Sequence, residues 1–588
     1  MKTYIYKIQL SLVLAFMAVS CTKLDLSQPD VASSGNFYQT KEQFRQGLNE
    51  GYRSGFWIFD KSQNGFDDDF MRRTLLEPVK QGSISSEYDH AINTWTAMYK
   101  GITRMLVVLK KIEEDTSVLT PQDKETYKAE ASCILGAYWS WMINHFGDVP
   151  FYEEELSIEE SFVISRTSKS EILQKIYNYF DVAIAGLPVE QVDRDYLTKG
   201  AAYALKARAA IYQNDYATAA TAAKGCMDLG VYDLHPNFGE LFKTATRSSD
   251  EIIFQIPRSV DLGEAETTNW MVQDFLQRNL GGYLARNPTW ELLASFECTD
   301  GLPIDESPLF DPLNPFKNRD PRCAMTIIPF GSLEDGDGLD PSSGYNNLGI
   351  EYTPHPLRKQ VLDYTTGNLR RNNDTQSVAG FASFNGLGWK KGVDEGWLDY
   401  IEDSNLIWMR YADVLLIYAE AKIELNQIDQ TVLDAINEVK SRAYNGTGKS
   451  APLVTTTNQN ELRLELRNER RMEFANEGLR YMDLIRWRLA EKALSRGIIG
   501  QLAVSTNTNP NVVPTGPLMD NVVNPGKYFW GLVPEIDDQD GLPDFTALLD
   551  ANLCRILVDT DFPERQYLWP IPASERLLNK NLTQNDGY

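Results

Sequence analysis

A mainly α fold, a superhelical scaffold of stacked helix pairs with a large loop-rich insertion carrying short strands, is predicted by three stretches of the sequence. Residues 200–230, GAAYALKARAAIYQNDYATAATAAKGCMDLG, read as an Ala-rich helix, an Asn-Asp turn and a second Ala-rich helix, the pattern of a tetratricopeptide-type hairpin in which small residues admit close approach. One hairpin cannot bury its own faces, so other pairs must stack on it. Residues 461–487, ELRLELRNERRMEFANEGLRYMDLIRW, add charged rows and large apolar residues at helical spacing. Between the two, residues 251–405 turn to Pro, Gly, Asn, Asp and aromatics with little periodicity, and long irregular stretches inside a folded chain usually carry function.

The N-terminus reads as an export signal. Lys2 and Lys7 precede an apolar run from Ile8 to Val19, too short to span a bilayer but right for a secretory core, so residues 1–20 are expected to be removed. The run closes on Ala18-Val19-Ser20-Cys21, which resembles a bacterial lipobox, with Cys21 as the lipidated first residue and 21–35 as a tether. Two or three acyl chains would anchor the protein without a transmembrane helix. At 588 residues the chain can bury a large core, and its net charge of −25 argues against nucleic acid and against electrostatic docking to anionic lipid.

Residues 36–250 read as an N-terminal helical region. FYQTKEQFRQGLNEGYR and TWTAMYKGITRMLVVLKKI are amphipathic, and between them lies the polar loop from Asn64 to Arg73. Consecutive carboxylates, aromatics and arginines suit hydroxyl-rich ligands, so Asp67, Asp68, Arg72 and the nearby Trp95 are candidate contacts, although such loops are commonly solvated turns. Thr120-Pro121 opens a helix in the N-cap and N1 pattern that Gly147 stops, and another is expected from Ser170 to Leu187.

The insertion, 251–405, begins with a short strand, Glu251-Ile-Ile-Phe-Gln-Ile, and supplies Trp270, Tyr283, Trp290, Tyr345, Tyr364, Trp389 and Trp397. Flat aromatic faces match the CH-rich sides of sugar rings. Core packing is the commoner fate of any one aromatic. Trp270, Tyr283 and Trp389 lie beside Asn or Gly in loop contexts and are the preferred candidates.

Helices return at Trp408 and fill 406–500, and a loop-rich region, 501–588, follows. In the 461–487 block, Glu465, Glu469, Glu473 and Glu477 repeat at i, i+4, as do Arg463, Arg467 and Arg471. Like charges so stacked cost a few tenths of a kcal/mol per pair, so the partners must lie elsewhere in the fold. Gly478 is expected to break the block into two helices, beyond which Asp483 can reach Arg480 and Arg486.

No metal or nucleotide chemistry is indicated. Cys133, Cys226, Cys298, Cys323 and Cys554 are odd in number without CxxC spacing, although Cys298 and Cys323 can pair across an irregular region. Asp335, Asp337 and Asp340 resemble part of a calcium loop, but Leu339 takes a ligand place and no Glu closes it; a structural calcium stays possible but unsupported. Ala443 to Ser450 satisfies a loose phosphate-loop pattern in the wrong context, after a helix rather than a strand. No HExxH and no Ser/His/Asp order is present.

Several blocks read together resemble the SusD/RagB family of Bacteroidetes surface lipoproteins: the lipobox with Leu24-Asp25 and Pro29, AEASCILGAYWSWMINHFGDVPF, ARNPTWELLASFECTDG with NRDPR behind it, RYADVLLIYAEAK, ERRMEFANEGLRYMDLIRW and LWPIPASERLLNKNLTQNDGY. Cys133, Gly136 and Ala18 depart from the usual pattern. The resemblance implies four tetratricopeptide-like helix pairs with the insertion packed against them. It also implies a place on the outer face of the outer membrane as a lid on a SusC-like TonB-dependent transporter, capture of nutrient, most often an oligosaccharide, and no catalysis. Two alternatives stay open: oligopeptide capture by the same architecture, and a surface glycoside hydrolase using paired carboxylates such as Asp67 and Asp69, which must then face each other across a cleft at roughly 5 to 9 Å.

Overall fold

The computed structural model describes residues 37–588 except 58–62, 74–76, 191–194, 262, 264–268 and 332–347. The signal sequence, Cys21, Tyr345 and the acidic loop of Asp335, Asp337 and Asp340 lie outside the described residues.

Helix α1 (Lys41–Asn49) is shorter than its amphipathic pattern because Thr40 caps it, accepting from the Gln43 amide at 3.3 Å. Strand β1 (Phe70–Arg72) follows, and then α2 (Asp89–Glu114). Helix α3 (Pro121–Phe146) starts on a capping box between Thr120 and Asp123 and stops at Gly147, whose φ of +71° favours glycine. Next come α4 (Lys169–Gly186), α5 (Lys199–Tyr212) and α6 (Tyr216–Met227), with Asn214 at φ +58° turning α5 into α6. The Ala-rich pair packs closely: a Cβ on Gly225 would stand 2.5 Å from the Tyr203 ring.

Each helix from α2 to α6 packs on the next. The chain then leaves the stack through β2 (Ile252–Ile256). The insertion contains α7 (Asn269–Phe275), β3 (Arg286–Pro288), α8 (Trp290–Ser295), α9 (Pro321–Thr326) and a hairpin of β4 (Gln360–Asp363) and β5 (Asn368–Arg371). It returns through β6 (Leu406–Arg410), antiparallel to β2, with Ile252 opposite Arg410. The helix expected from Trp408 therefore begins at Tyr411, whose amide donates to the Glu251 carbonyl at 2.8 Å. Helix α10 (Tyr411–Glu424) packs directly on α6, so the stack continues as though the insertion had been spliced between consecutive helices. Helices α11 (Gln430–Ala443) and α12 (Gln459–Phe474) pack on α10, and α13 (Arg480–Arg486) lies beyond Gly478 at φ +75°, the break expected there. The fold is mainly α.

Two cores result. One unites the stacked helices with Phe562, Trp569 and Ile571 of the tail. The other unites the insertion (Trp290, Phe296, Trp389, Trp397) with Phe529, Trp530 and Phe545. Helix α12 serves both: Leu462, Leu466 and Phe474 enter the first, Met472 and the adjoining Ala475 the second. All five described cysteines are free and buried, so Cys298 and Cys323 are not bridged. Among the described residues no helix is long and apolar enough to cross a membrane.

The stacked charges of 461–487 find their partners across these elements. Glu473, fully buried, faces three guanidiniums: Arg410 at 2.6 Å, Arg322 at 3.0 Å, and Arg442 in closer contact. Burial opposes its charge, but Arg442, Arg410 and Arg322 outweigh that and hold its carboxyl well below the usual carboxylate range. Glu251 at the neck of the insertion shares Arg410 at 2.7 Å and Arg442 at 2.8 Å, and Glu477 pairs with Arg410 at 2.7 Å and Lys391 at 2.6 Å. Arg470 joins Asp413 of α10 at 2.9 Å to Asp483 at 3.0 Å, and Arg208 of α5 reaches the same Asp413 at 2.7 Å. Burial pushes Asp413 up, yet Arg208 and Arg470 bring it down to about 2. Asp483 pairs with Arg486 at 2.8 Å as expected from spacing, but Arg480 turns away to Asp68.

Removing one member of a buried ion set leaves the others uncompensated, which costs about 3–5 kcal/mol. Glu473→Gln should lower stability by that order in urea denaturation while leaving any ligand preference of the folded protein intact. A midpoint equal to that of the unaltered protein would contradict the role assigned to Glu473.

Candidate functional site

The polar loop before β1 is fixed from below. Arg480 grips Asp68 with both nitrogens, at 2.8 and 2.9 Å, and Arg471 bridges Asp68 at 2.9 Å and Asp69 at 2.7 Å. Against the opposing effect of burial, Arg471 and Arg480 hold the Asp68 carboxyl low. Asp67, buried and beside Asp69, is pushed well above the ordinary range, first by burial and then by that neighbour's charge. Its Oδ1 accepts the Asp69 amide at 3.0 Å. Asp67 and Asp68, expected to face a ligand, are thus core residues that seat the loop. The paired carboxylates of the hydrolase alternative, Asp67 and Asp69, are both 2% exposed.

Seated this way, β1 pairs antiparallel with β3, Phe70 opposite Pro288 and Arg72 opposite Arg286, and joins the early loop to the insertion. Arg72 and Arg286 both reach Asp274 of α7, at 3.2 and 3.4 Å. Where β1 ends, the Arg73 amide donates to the Ala285 carbonyl at 2.7 Å. Its guanidinium donates to the carbonyl of Tyr283 at 2.8 Å and, more closely, to that of Phe381. Arg278 approaches the same two carbonyls at 3.4 and 3.5 Å. Burial, followed by the charge of Arg278, lowers Arg73 to about 10, which leaves it protonated at neutral pH.

Two segments far apart in sequence are therefore held by their backbones while their rings turn outward. Tyr283 is 43% and Phe381 65% exposed. Arg73 lies within 5.7 Å of the Phe381 ring centre and 5.9 Å of that of Phe384. Leu284, next to Tyr283, is fully buried at φ +46°, a conformation costing a leucine on the order of 1 kcal/mol, and Leu276 holds it by accepting its amide at 2.9 Å. Two exposed aromatic residues and the two arginines on their carbonyls make up a platform.

Of the expected contacts, Tyr283 is one of these exposed residues, and Arg72, half-buried, is turned to Asp274. Trp270 belongs to α7, and its side chain lies outside the described residues. Trp95 and Trp389 do not face solvent. Trp95 packs between Tyr99 at 4.9 Å and Phe146 at 5.1 Å, and Trp389 stacks on Phe70 at 6.2 Å behind β1. Trp290 and Trp397 are core as well. The sequence does not single out Arg73, Arg278 and Phe381: Arg73 shares the polar loop of Arg72, and Phe381 stands among Gly, Ala and Ser. Among the described residues no group of His, Cys, Asp and Glu is arranged to hold a metal ion.

A sequence profile described as the SusD family matches residues 250–588, more than half of the chain. The chain belongs to the SusD family. A second profile, described as starch-binding associating with outer membrane, matches residues 40–211 of this SusD-family chain. SusD-like protein P25 of Formosa agariphila is 23% identical over 88% of this chain and 97% of its own length. The crystal structure of a SusD-like carbohydrate binding protein from Bacteroides fragilis is 26% identical, with a TM-score of 0.71 over 92% of this chain and 99% of that one. A second SusD-like protein from the same organism, 21% identical, gives a TM-score of 0.69 over 95% of this chain and 99% of that one, and shows the same fold.

The placement separates platform from core energetically. Trp389→Ala should destabilise by about 3–5 kcal/mol through the cavity it leaves. Tyr283→Ala and Phe381→Ala should each cost less than about 1 kcal/mol. Thermal or urea unfolding of the three variants checks the assignment, and a large loss at Phe381 would refute it.

Proposed function

We propose that this SusD-family chain is a non-catalytic, cell-surface glycan-binding lipoprotein that captures oligosaccharide on the Tyr283–Phe381 platform and delivers it to a partner TonB-dependent outer-membrane transporter. The observation that carries the binding reading is the pair of exposed rings anchored through their carbonyls by Arg73 and Arg278. Sugar rings present flat CH faces to such surfaces, and a backbone already held in place loses little further freedom on binding. The Arg73 and Arg278 guanidiniums, held at the platform, can also donate to hydroxyl oxygens. The similar Bacteroides fragilis protein described as carbohydrate binding supports the ligand class. The profile description that names the outer membrane supports the location, with Cys21 as the lipidated anchor. The transporter partner rests on the family resemblance.

Isothermal calorimetry of the exported chain against a broad polysaccharide and oligosaccharide panel should show binding to at least one glycan. Loss of both rings in Tyr283→Ala with Phe381→Ala should weaken it at least tenfold in a folded protein. Heat with peptides and none with any glycan would transfer the site to oligopeptide capture, and new reducing ends during incubation would end the non-catalytic reading. Labelled fatty acid should enter the unaltered protein in cells and fail to enter Cys21→Ala; equal incorporation would refute the anchor.

A further inference from the structure

The platform carries positive charge that no carboxylate among the described residues pairs with. Four cations converge on the carbonyls of one short segment, 377–381: Lys359 on Ser377 at 3.1 Å, Arg371 on Val378 at 3.4 Å, and Arg73 and Arg278 on Phe381. Acids outnumber bases in the chain 82 to 57, so these cations are not unpaired for want of carboxylates.

The carboxylates nearby are engaged elsewhere. Asp274 is shared by Arg72 and Arg286, Asp363 takes Arg370 at 3.3 Å, and Glu351 takes Arg358 at 3.2 Å. Asp374, fully buried, accepts the backbone amides of Arg278 at 2.6 Å and Asn279 at 3.4 Å. Burial pushes it up to about 7, so near neutral pH it carries only part of a charge. A carbonyl accepts a hydrogen bond without cancelling the charge of the donor, and the segment stays cationic.

Arg73 and Arg278 are the cations beside the exposed aromatic residues. Each sets Nη1 on the Tyr283 and Phe381 carbonyls and keeps Nε buried. The Nη2 of each makes no hydrogen bond among the described residues and is not shut away from solvent, both side chains being half-buried. Two like charges fixed on the same two carbonyls repel, and after burial it is Arg278 that weighs on Arg73. A hydroxyl would accept from these donors and leave that repulsion in place. An oxyanion accepts charge-assisted hydrogen bonds, roughly twice as strong as neutral ones, and offsets both charges. The net charge of −25 does not undo this, because the Debye length at physiological salt is about 8 Å and screens distant acids more than contacts at the platform.

We propose that the platform is selective for ligands carrying an oxyanion, a carboxylate or a sulfate ester, received by the free Nη2 groups of Arg73 and Arg278 beside the exposed Tyr283 and Phe381. This selectivity rests on the platform being the capture site. The helical fold leaves the charge of a ligand open, and these two arginines set it.

Calorimetry of the full exported chain with ligands that differ only in charge provides the test: oligogalacturonate with its methyl ester, and a sulfated galactan oligosaccharide with its desulfated form, beside acidic and neutral polysaccharides. The glycans that bind should be acidic, and a charged ligand should bind at least tenfold tighter than its neutral twin, the pair concerned telling carboxylate from sulfate. Arg278→Gln keeps a donor for the carbonyls and removes the charge. It should weaken the charged ligand at least tenfold and erase the preference, whereas a purely structural role would weaken both twins by the same factor. Arg73→Gln serves in the same way should Arg278→Gln fail to fold, and the paired ligands on the unaltered protein need no variant. Neutral glycans binding as tightly as acidic ones, twins binding alike, or a preference that survives in the folded variants would overturn the selectivity and leave the capture reading standing. No heat with any glycan, acidic or neutral, would overturn the capture reading and the selectivity with it.

Discussion

Glu473 and the three arginines around it are the constraint on which the rest of this molecule depends. Arg322 comes from α9 in the insertion, Arg410 from the neck strand β6 and Arg442 from the end of α11, so a single buried carboxylate ties three separate segments to α12. Charges taken out of water are expensive, and what offsets that expense is the completeness of the pairing. Glu251, Glu469 and Glu477 supply further anions to the same arginines. Such a set specifies one arrangement, because displacing any segment leaves several ions buried without partners. The apolar contacts around it are individually more forgiving.

This lattice explains how an insertion of this length can interrupt a helical stack. Helices α6 and α10 pack as neighbours although β2, the insertion and β6 separate them in sequence. The two neck strands pair with each other, and the flanking Glu251 and Arg410 are drawn into the ion set. On the far side, Arg471 and Arg480 carry the same logic to Asp68 and Asp69 and seat the loop that becomes β1. The candidate ligand platform is therefore built on loops held at their bases by ion pairs, with Arg73 and Arg278 donating to the backbone carbonyls of its exposed residues. A pocket opens beside the same neck, and Lys391 and Glu477 belong to both the ion set and its wall.

Much of the scaffold was legible in the chain. The Thr120-Pro121 start, the Gly147 stop, the Ala-rich hairpin with its Asn214 turn and the Gly478 break are local signals, since capping, close approach and left-handed backbone are decided within a few residues. The like-charged rows of 461–487 also announced that their partners lay elsewhere. The candidate site was harder to read. Asp68 and Trp389 have the composition of ligand contacts and are buried, whereas Phe381 carried no comparable signal and Arg73 only that of its loop.

By itself, then, the sequence determined a mainly α fold of stacked helices, the irregular region spliced into it and the need of α12 for distant ionic partners. Only the tertiary structure decided which carboxylate meets which guanidinium, and which aromatic rings reach solvent. Helix signals act over one or two turns of chain. Burial depends on what a distant segment lays across a residue: Arg480 comes from 412 residues away to cover Asp68, and Arg73 reaches 308 residues to hold Phe381 with its ring turned outward.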